Sequence, residues 1–219
     1  MTTRIYPALI GADPLNLADA LQAVEASSAH WLHLDIMDGN YTASITFGLS
    51  TVRAVRNSTP MPLDVHLQTL NPDRLIPELV EIGVDQVSIH LDATKDAHAA
   101  LTAVKAAGLR AALVLNPDQA TDGIADYFDQ LDAIVLMTSQ PGTSVFVPAV
   151  LDKIRGLRQE LDDSGRHISI VADGGVTAVT APQIATAGAD ALVAASAVFS
   201  TPTGDIATAI TELASAATR

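Results

Sequence analysis

EIGVDQVSIH (residues 81–90), AAGLRAALVL (106–115) and TAGADALVAA (186–195) are variants of one phrase. In each, an amphipathic run stops at a glycine, a short join follows, and the chain enters a run of aliphatic or β-branched residues. Glycine suits the left-handed conformation that closes a helix, so Gly83, Gly108 and Gly188 mark three helix-to-strand turns. The same alternation extends outward along the whole chain. It predicts strands over 5–10, 31–36, 63–67, 86–90, 111–115, 133–137, 168–172 and 191–195. It predicts helices over 15–26, 49–56, 72–82, 96–107, 123–128, 148–161, 178–187 and 206–216. Eight strand–helix units with short joins imply a parallel sheet covered by helices. The expected fold is α/β, a (β/α)8 TIM barrel in one domain spanning 1–219. An open doubly wound sheet is the alternative, and eight units without a nucleotide fingerprint favour the barrel.

Composition narrows the partners. Hydrophobic residues form 48% of the 219, enough for a large core. The opening MTTRIYPALIGADP has no basic segment followed by a long apolar run, so no signal peptide is expected. No apolar stretch reaches the roughly 20 residues of a membrane helix. Cysteine is absent, which excludes disulfides and thiolate metal sites. The expectation is a cytoplasmic protein with no membrane partner. A net charge of -13 argues against nucleic acid and anionic surfaces, which need a basic face. An anionic substrate would have to be held by local amides, helix N-termini or a metal.

In such a barrel the chemistry lies at the C-terminal ends of the strands. Strand side chains alternate with a period of two. The second strand, ending HLDIMDG, therefore places His33, Asp35 and Met37 on one face. The third, ending DVHLQT, does the same for Asp64, His66 and Gln68. The sixth contributes Met137, and the seventh places Asp173 at its mouth, followed by Gly174 and Gly175. Two imidazoles and two carboxylates converge on one rim, where they are costly unless paired or metal-bound. His33, Asp35, His66 and Asp173 thus form a candidate site for one divalent metal cation, a donor set suiting Zn, Mn, Fe or Co better than Ca. His90 reads equally as a mouth residue or as packing, Asn116 as a helix-entry turn, and His30, His98 and His167 as solvated. Asp64 is a candidate for orienting a neighbouring ligand. Gly174 and Gly175, ahead of a helix, can expose amides to an anion.

At these residues the chain resembles the ribulose-phosphate 3-epimerase family. The phrases that carry the likeness are LHLDIMDG, SITFG, PLDVHLQ, VSIHLDA, LVLNP, IVLMTSQPG, FVPAVLDKIRGLR, VADGGV and AGADALVAASAVF, in that order from about residue 5 to 199. The resemblance implies metal ligands at His33, Asp35, His66 and Asp173, with Asp35 and Asp173 as the two acid–base groups. It implies interconversion of D-ribulose 5-phosphate and D-xylulose 5-phosphate by 1,1-proton transfer through an enediolate. Met37 and Met137 match family methionines lining the intermediate. His66, Met37, Met137, Gly142, Gly174, Gly175 and Ser196 are the expected substrate contacts, and a homo-oligomer is a possible assembly.

Departures fall on the substrate side. The family's serine is Ala8, a methionine is Gln68, a glycine is Ala195, and the loop after Met137 is shortened to PGTSVFVP. No Lys or Arg occurs in 141–147, 174–177 or 195–201. The same chemistry on another ketose, such as a hexulose 6-phosphate or an unphosphorylated ketulose, is therefore an alternative. A catalytically silent barrel that binds a metal or metabolite is a more remote one.

Overall fold

A computed structural model describes residues 3–201 and 204–218. The expected domain of 1–219 reaches beyond them at 1, 2, 202, 203 and 219. The strands are β1 (Arg4–Pro7), β2 (Leu32–Met37), β3 (Leu63–Gln68), β4 (Gln86–His90), β5 (Arg110–Leu115), β6 (Ala133–Met137), β7 (Ser169–Asp173) and β8 (Ala191–Ala194). They are parallel and pair in the order β1-β8-β7-β6-β5-β4-β3-β2. A parallel bridge between Ala8 and His33 closes the seam between β1 and β2. The helices are α1 (Leu17–Glu25), α2 (Leu49–Ser58), α3 (Ile76–Ile82), α4 (Ala97–Ala106), α5 (Val150–Asp163), α6 (Ala181–Ala187), α7 (Ser196–Phe199) and α8 (Ile206–Ala216). The architecture is a single-domain (β/α)8 barrel. Among the described residues, no helix is long and apolar enough to cross a membrane.

Strand alternation sorts side chains into two layers. Leu32, Leu34 and Ile36 of β2 and Leu63, Val65 and Leu67 of β3 join the outer core beneath the helices. On α5, Val150, Ile154, Leu157 and Leu161 recur at helical spacing and are buried in the same layer. The other strand face fills the barrel, and unevenly. Ala112, Val114, Ala133, Val135, Val171, Ala191, Val193 and Tyr6 make an apolar half from β5 to β8 and β1. The strands β2 to β4 instead supply His33, Asp35, Asp64, His66, Gln68, Ser88 and His90, all buried. Burying so many polar groups is tolerable only if they satisfy one another or a ligand. At the opposite end, Trp31 stacks on Tyr6 with centroids 5.7 Å apart, and Arg110 lies over its indole at 5.7 Å, plugging the barrel floor.

Several boundaries differ from the sequence reading, each for a local reason. The first strand stops at Pro7, and Leu9–Gly11 forms a 3-10 turn instead of continuing to residue 10. A Cβ on Gly11 would stand 2.7 Å from the Ala195 carbonyl carbon, so this turn packs directly on the end of β8. The expected helix 72–82 divides into a 3-10 turn, Pro72–Leu75, and α3, and the helix 178–187 begins only at Ala181. In both, a proline (Pro77, Pro182) near the start has no N–H to bond one turn back. The expected helix 123–128 is a 3-10 segment, Ile124–Gln130. The seventh strand ends at Asp173 and the eighth at Ala194, where α7, which sequence periodicity did not reveal, begins at once. Four residues are too few to show a helical period.

Candidate active site

His33, Asp35 and Met37 leave β2 on its inner face, beside Asp64, His66 and Gln68 of β3, in the register His33↔Asp64, Asp35↔His66 and Met37↔Gln68. Asp173 ends β7 opposite Met137 of β6. His33 Nε2 lies 3.3 Å from Asp35 Oδ1 and 3.6 Å from Asp173 Oδ2. His66 Nδ1 lies 3.2 Å from Asp35 Oδ1 and 3.1 Å from Asp173 Oδ2. One donor atom from each of the four residues falls within 4.8 Å of all the others.

These atoms are close, yet His33 Nε2, His66 Nδ1 and Asp173 Oδ2 are buried without a hydrogen-bond partner. Their separations are short enough for hydrogen bonds but their angles are not, because they converge on a shared centre. Orphaned buried donors and acceptors call for a missing partner. Ligand atoms about 2.0–2.2 Å from one cation stand ~3 Å or more from each other, as these do. The residues present fit a divalent cation.

Electrostatics agree. Burial alone would raise the Asp35 carboxyl, but His33 and His66 hold it well below the usual carboxylate range. Burial would likewise lower His66, and Asp173 and Asp35 instead carry it to about 9. His33 is raised well above its ordinary value, as Asp35 and Asp64 outweigh its burial. The cluster holds positive charge in its metal-free form, which a cation would replace.

The surrounding residues hold the donors in place. Asp64, completely buried, accepts from His33 Nδ1 at 2.9 Å and from Ser88 Oγ at 2.7 Å. That contact turns His33 Nε2 inward toward Asp35 and Asp173, the geometry that an orienting role for Asp64 requires. Gln68, which the sequence placed on the face of Asp64 and His66 and marked as a departure from the family, donates from Nε2 to Asp35 Oδ1 at 2.9 Å. Thr46 Oγ1 donates to the Asp35 carbonyl at 2.6 Å and accepts from Met37 N at 2.9 Å, fixing the end of β2. His90 points into the barrel, with Nε2 2.9 Å from His66 Nε2 and Nδ1 2.9 Å from Tyr41 Oη. Burial and the facing His66 keep it well below its usual range, hence neutral. Asn116, expected only to turn the chain, reaches Tyr41 Oη at 2.8 Å and Asp92 at 3.1 Å. Tyr41 and Asp92 lie in loops, where no period links them to a strand face. His30 and His167 are exposed, and His98, also exposed, stacks on Tyr127 at 4.3 Å.

Above the donors opens a cavity of about 410 Å³ lined by Asp35, Met37, Gln68, Met137 and Asp173, with Ala8 and Ala195 on its wall. Gly142, Gly174, Gly175 and Ser196 line the same cavity, and among the described residues no Lys or Arg does. Gly174 and Gly175 adopt φ of 110° and 61°. A Cβ on Gly174 would stand 2.1 Å from Ser139 Oγ, and one on Gly175 3.0 Å from the Phe146 backbone. The loop after β6 is thus clamped on the loop after β7, and Thr138 N donates to the Asp173 carbonyl at 2.6 Å.

Known proteins resemble the chain at two levels. Residues 4–199 match the Ribulose-phosphate 3 epimerase family. A ribulose-phosphate 3-epimerase of Bacillus subtilis is 39% identical over 199 residues, covering 90% of this chain and 92% of its own. The chloroplastic ribulose-5-phosphate-3-epimerase of Arabidopsis thaliana is 36% identical, covering 89% of this chain and 71% of its own. Among solved structures, phosphoribosyl anthranilate isomerase of Thermus thermophilus superposes with a TM-score of 0.69 at 16% identity, covering 98% of both chains. Mycobacterium tuberculosis tryptophan synthase gives 0.71 at 17%, covering 99% of this chain and 93% of its own. At such identities these two speak for the fold alone.

Proposed function

This chain belongs to the ribulose-phosphate 3-epimerase family, and on that premise we propose that it interconverts D-ribulose 5-phosphate and D-xylulose 5-phosphate with a divalent metal. The observation that carries the reading is the pairing of two buried carboxylates, Asp35 and Asp173, from separate strands at the floor of one cavity. Inverting a carbon requires a proton to leave one face and return to the other, which two carboxylates flanking the sugar can do. In this reading Asp35 takes the proton, Asp173 delivers it, and the roles exchange in reverse. The Asp35 carboxyl, held below its usual range by His33 and His66 against its burial, is ionised at neutral pH. Gln68, donating to Asp35 Oδ1, leaves Oδ2 as the oxygen for proton transfer.

His33, Asp35, His66 and Asp173 hold the cation, of the Zn, Mn, Fe or Co group. When bound, it supplies Lewis-acid stabilisation of negative charge beside the sugar carbonyl, worth several kcal/mol. Met37 and Met137 form an apolar wall that excludes water, and polarizable thioethers suit a planar intermediate. Gly142, Gly174, Gly175 and Ser196 offer main-chain amides to the phosphate, which in a chain of charge -13 meets no basic side chain among the described residues lining the cavity. A cytoplasmic location and association of copies through the barrel's outer surface complete the reading, the latter checked by sedimentation.

The test is exchange of solvent deuterium at C3 of the pentulose phosphate, abolished by chelator. Asp35→Asn or Asp173→Asn should lower turnover by roughly a thousandfold or more, since each removes a ligand charge and a proton-transfer group. Near-normal turnover in either variant rejects these roles. Because Ala8, Gln68 and Ala195 depart from the family at the cavity wall, kcat/KM is to be compared across hexulose 6-phosphates and unphosphorylated ketuloses. A preference for one of those would reassign the substrate, and inertness of the metal-loaded protein on every ketose would leave a binding barrel.

A further inference from the structure

A line of four side chains connects the metal-facing ring of His66 to a carboxylate on the rim of the barrel. The direction of every hydrogen bond along it is fixed by its outer end. Asp92, exposed just after β4, can only accept, and it receives the Tyr41 hydroxyl at 2.8 Å. Tyr41 has one proton, so its oxygen must accept from His90 Nδ1 at 2.9 Å and from Asn116 Nδ2 at 2.8 Å. His90 is then protonated on Nδ1 and carries a lone pair on Nε2. That lone pair lies 2.9 Å from His66 Nε2, which must therefore be the protonated nitrogen. The remaining nitrogen, His66 Nδ1, faces Asp35 and Asp173 and is the one left to give its lone pair to a cation once its proton is displaced.

We propose that Asp92, Tyr41 and His90 form a positioning chain that selects the cation-binding tautomer of His66. The ring geometry supports an in-plane contact: the His66 and His90 centroids are 4.9 Å apart with planes only 19° from parallel. Face-to-face stacked rings would not bring the two Nε2 atoms together at hydrogen-bond distance with centroids so far apart; nearly coplanar rings meeting tip to tip do. Tyr41 is held in line from two sides. Its N–H donates to Asp38 Oδ1 at 2.9 Å, and Asn116 bridges it to Asp92 Oδ2 at 3.1 Å. Asn116 is itself anchored, because Lys153 of α5 donates to the carbonyls of Asn116 and Pro117 at 2.9 Å each. The two histidines thus receive the same instruction by different routes. Asp64 orients His33 directly, whereas His66, one strand further along the wall, is reached from Asp92 through two intermediates.

The proposal rests on His66 being a metal ligand, and its test separates the two ideas. Zn(II) affinity of the chelator-stripped protein is measured by competition with a chromophoric chelator, for wild type, Tyr41→Phe and Asp92→Asn. Histidine 15N spectra of the Zn-loaded proteins report which nitrogen is protonated. Tyr41→Phe keeps the ring and removes only the oxygen, and Asp92→Asn alters an exposed side chain, so neither threatens the fold. The expected result is about a 10- to 100-fold loss of Zn affinity in Tyr41→Phe and a loss in the same direction in Asp92→Asn. Wild-type His66 should show a protonated Nε2 and a metal-bound Nδ1. Tyr41→Phe affinity within twofold of wild type, or wild-type His66 bound through Nε2, overturns the chain alone. Failure of the wild type to bind Zn(II) stoichiometrically overturns the metal reading, and the chain falls with it.

Discussion

Removing the cation should reverse how this protein's stability responds to pH. In the metal-free barrel His66 Nδ1 sits 3.2 Å from Asp35 and 3.1 Å from Asp173, and although burial opposes its charge, these carboxylates hold its proton up to about pH 9. His33 is raised too, against its burial, by Asp35 and Asp64. Both imidazoles bind a proton more tightly folded than unfolded, where a histidine titrates near about 6.5. Their stabilisation is fully present below that value and disappears as pH climbs through the folded value. For His66, the interval from 6.5 to about 9 corresponds to on the order of 3 kcal/mol. In a chain of this size about 1 kcal/mol moves Tm by roughly 2–4 °C. The metal-free protein should therefore melt roughly 6–12 °C lower at pH 9.5 than at pH 6.5. With saturating Zn(II) the trend inverts, because ligation needs both imidazoles deprotonated and competes with fewer protons as pH rises. Scanning calorimetry across this range, with and without chelator, measures both curves. Titration calorimetry in buffers of different ionisation enthalpy should count about two protons released per ion near pH 7. A metal-free Tm that stays level or rises between pH 6.5 and 9.5 would refute the reasoning.

Two substitutions probe the framework around the site. Asp64→Asn keeps an acceptor for His33 Nδ1 but loses the charge, and should weaken metal binding by about 10- to 100-fold while the barrel stays folded; unaltered affinity in chelator competition would dismiss Asp64 as an orienting group. Gly174→Ala places a Cβ 2.1 Å from Ser139 Oγ at a φ of 110°, and should cost about 2 kcal/mol or more along with most of the activity. Adding Ser139→Ala should restore only part, since the Ser139 amide at 2.9 Å and the backbone strain remain; a single variant with wild-type Tm and rate would contradict this.

The fold was legible because its cues are local. Gly83, Gly108 and Gly188, all at positive φ, close α3, α4 and α6, and the aliphatic runs after them are β4, β5 and β8. The period of two was enough to place His33 and Asp35 together, and Asp64 with His66, before any strand was paired. It failed where a local cue was missing or overruled, as at Pro77 and Pro182, which delay their helices, and at α7, which is too short to show a period.

By itself, then, the sequence determined the strand–helix order and which side chains share a strand face, since both depend on a few neighbouring residues. Closure brought β2, β3 and β7 around one centre and set their four donors within 4.8 Å. Only the tertiary structure could decide that His90 meets His66, that a loop tyrosine completes the line to Asp92, and that Gln68 grips Asp35. Those contacts join residues from different strands and loops, and no spacing along the chain encodes the distance between atoms that meet only when the barrel shuts.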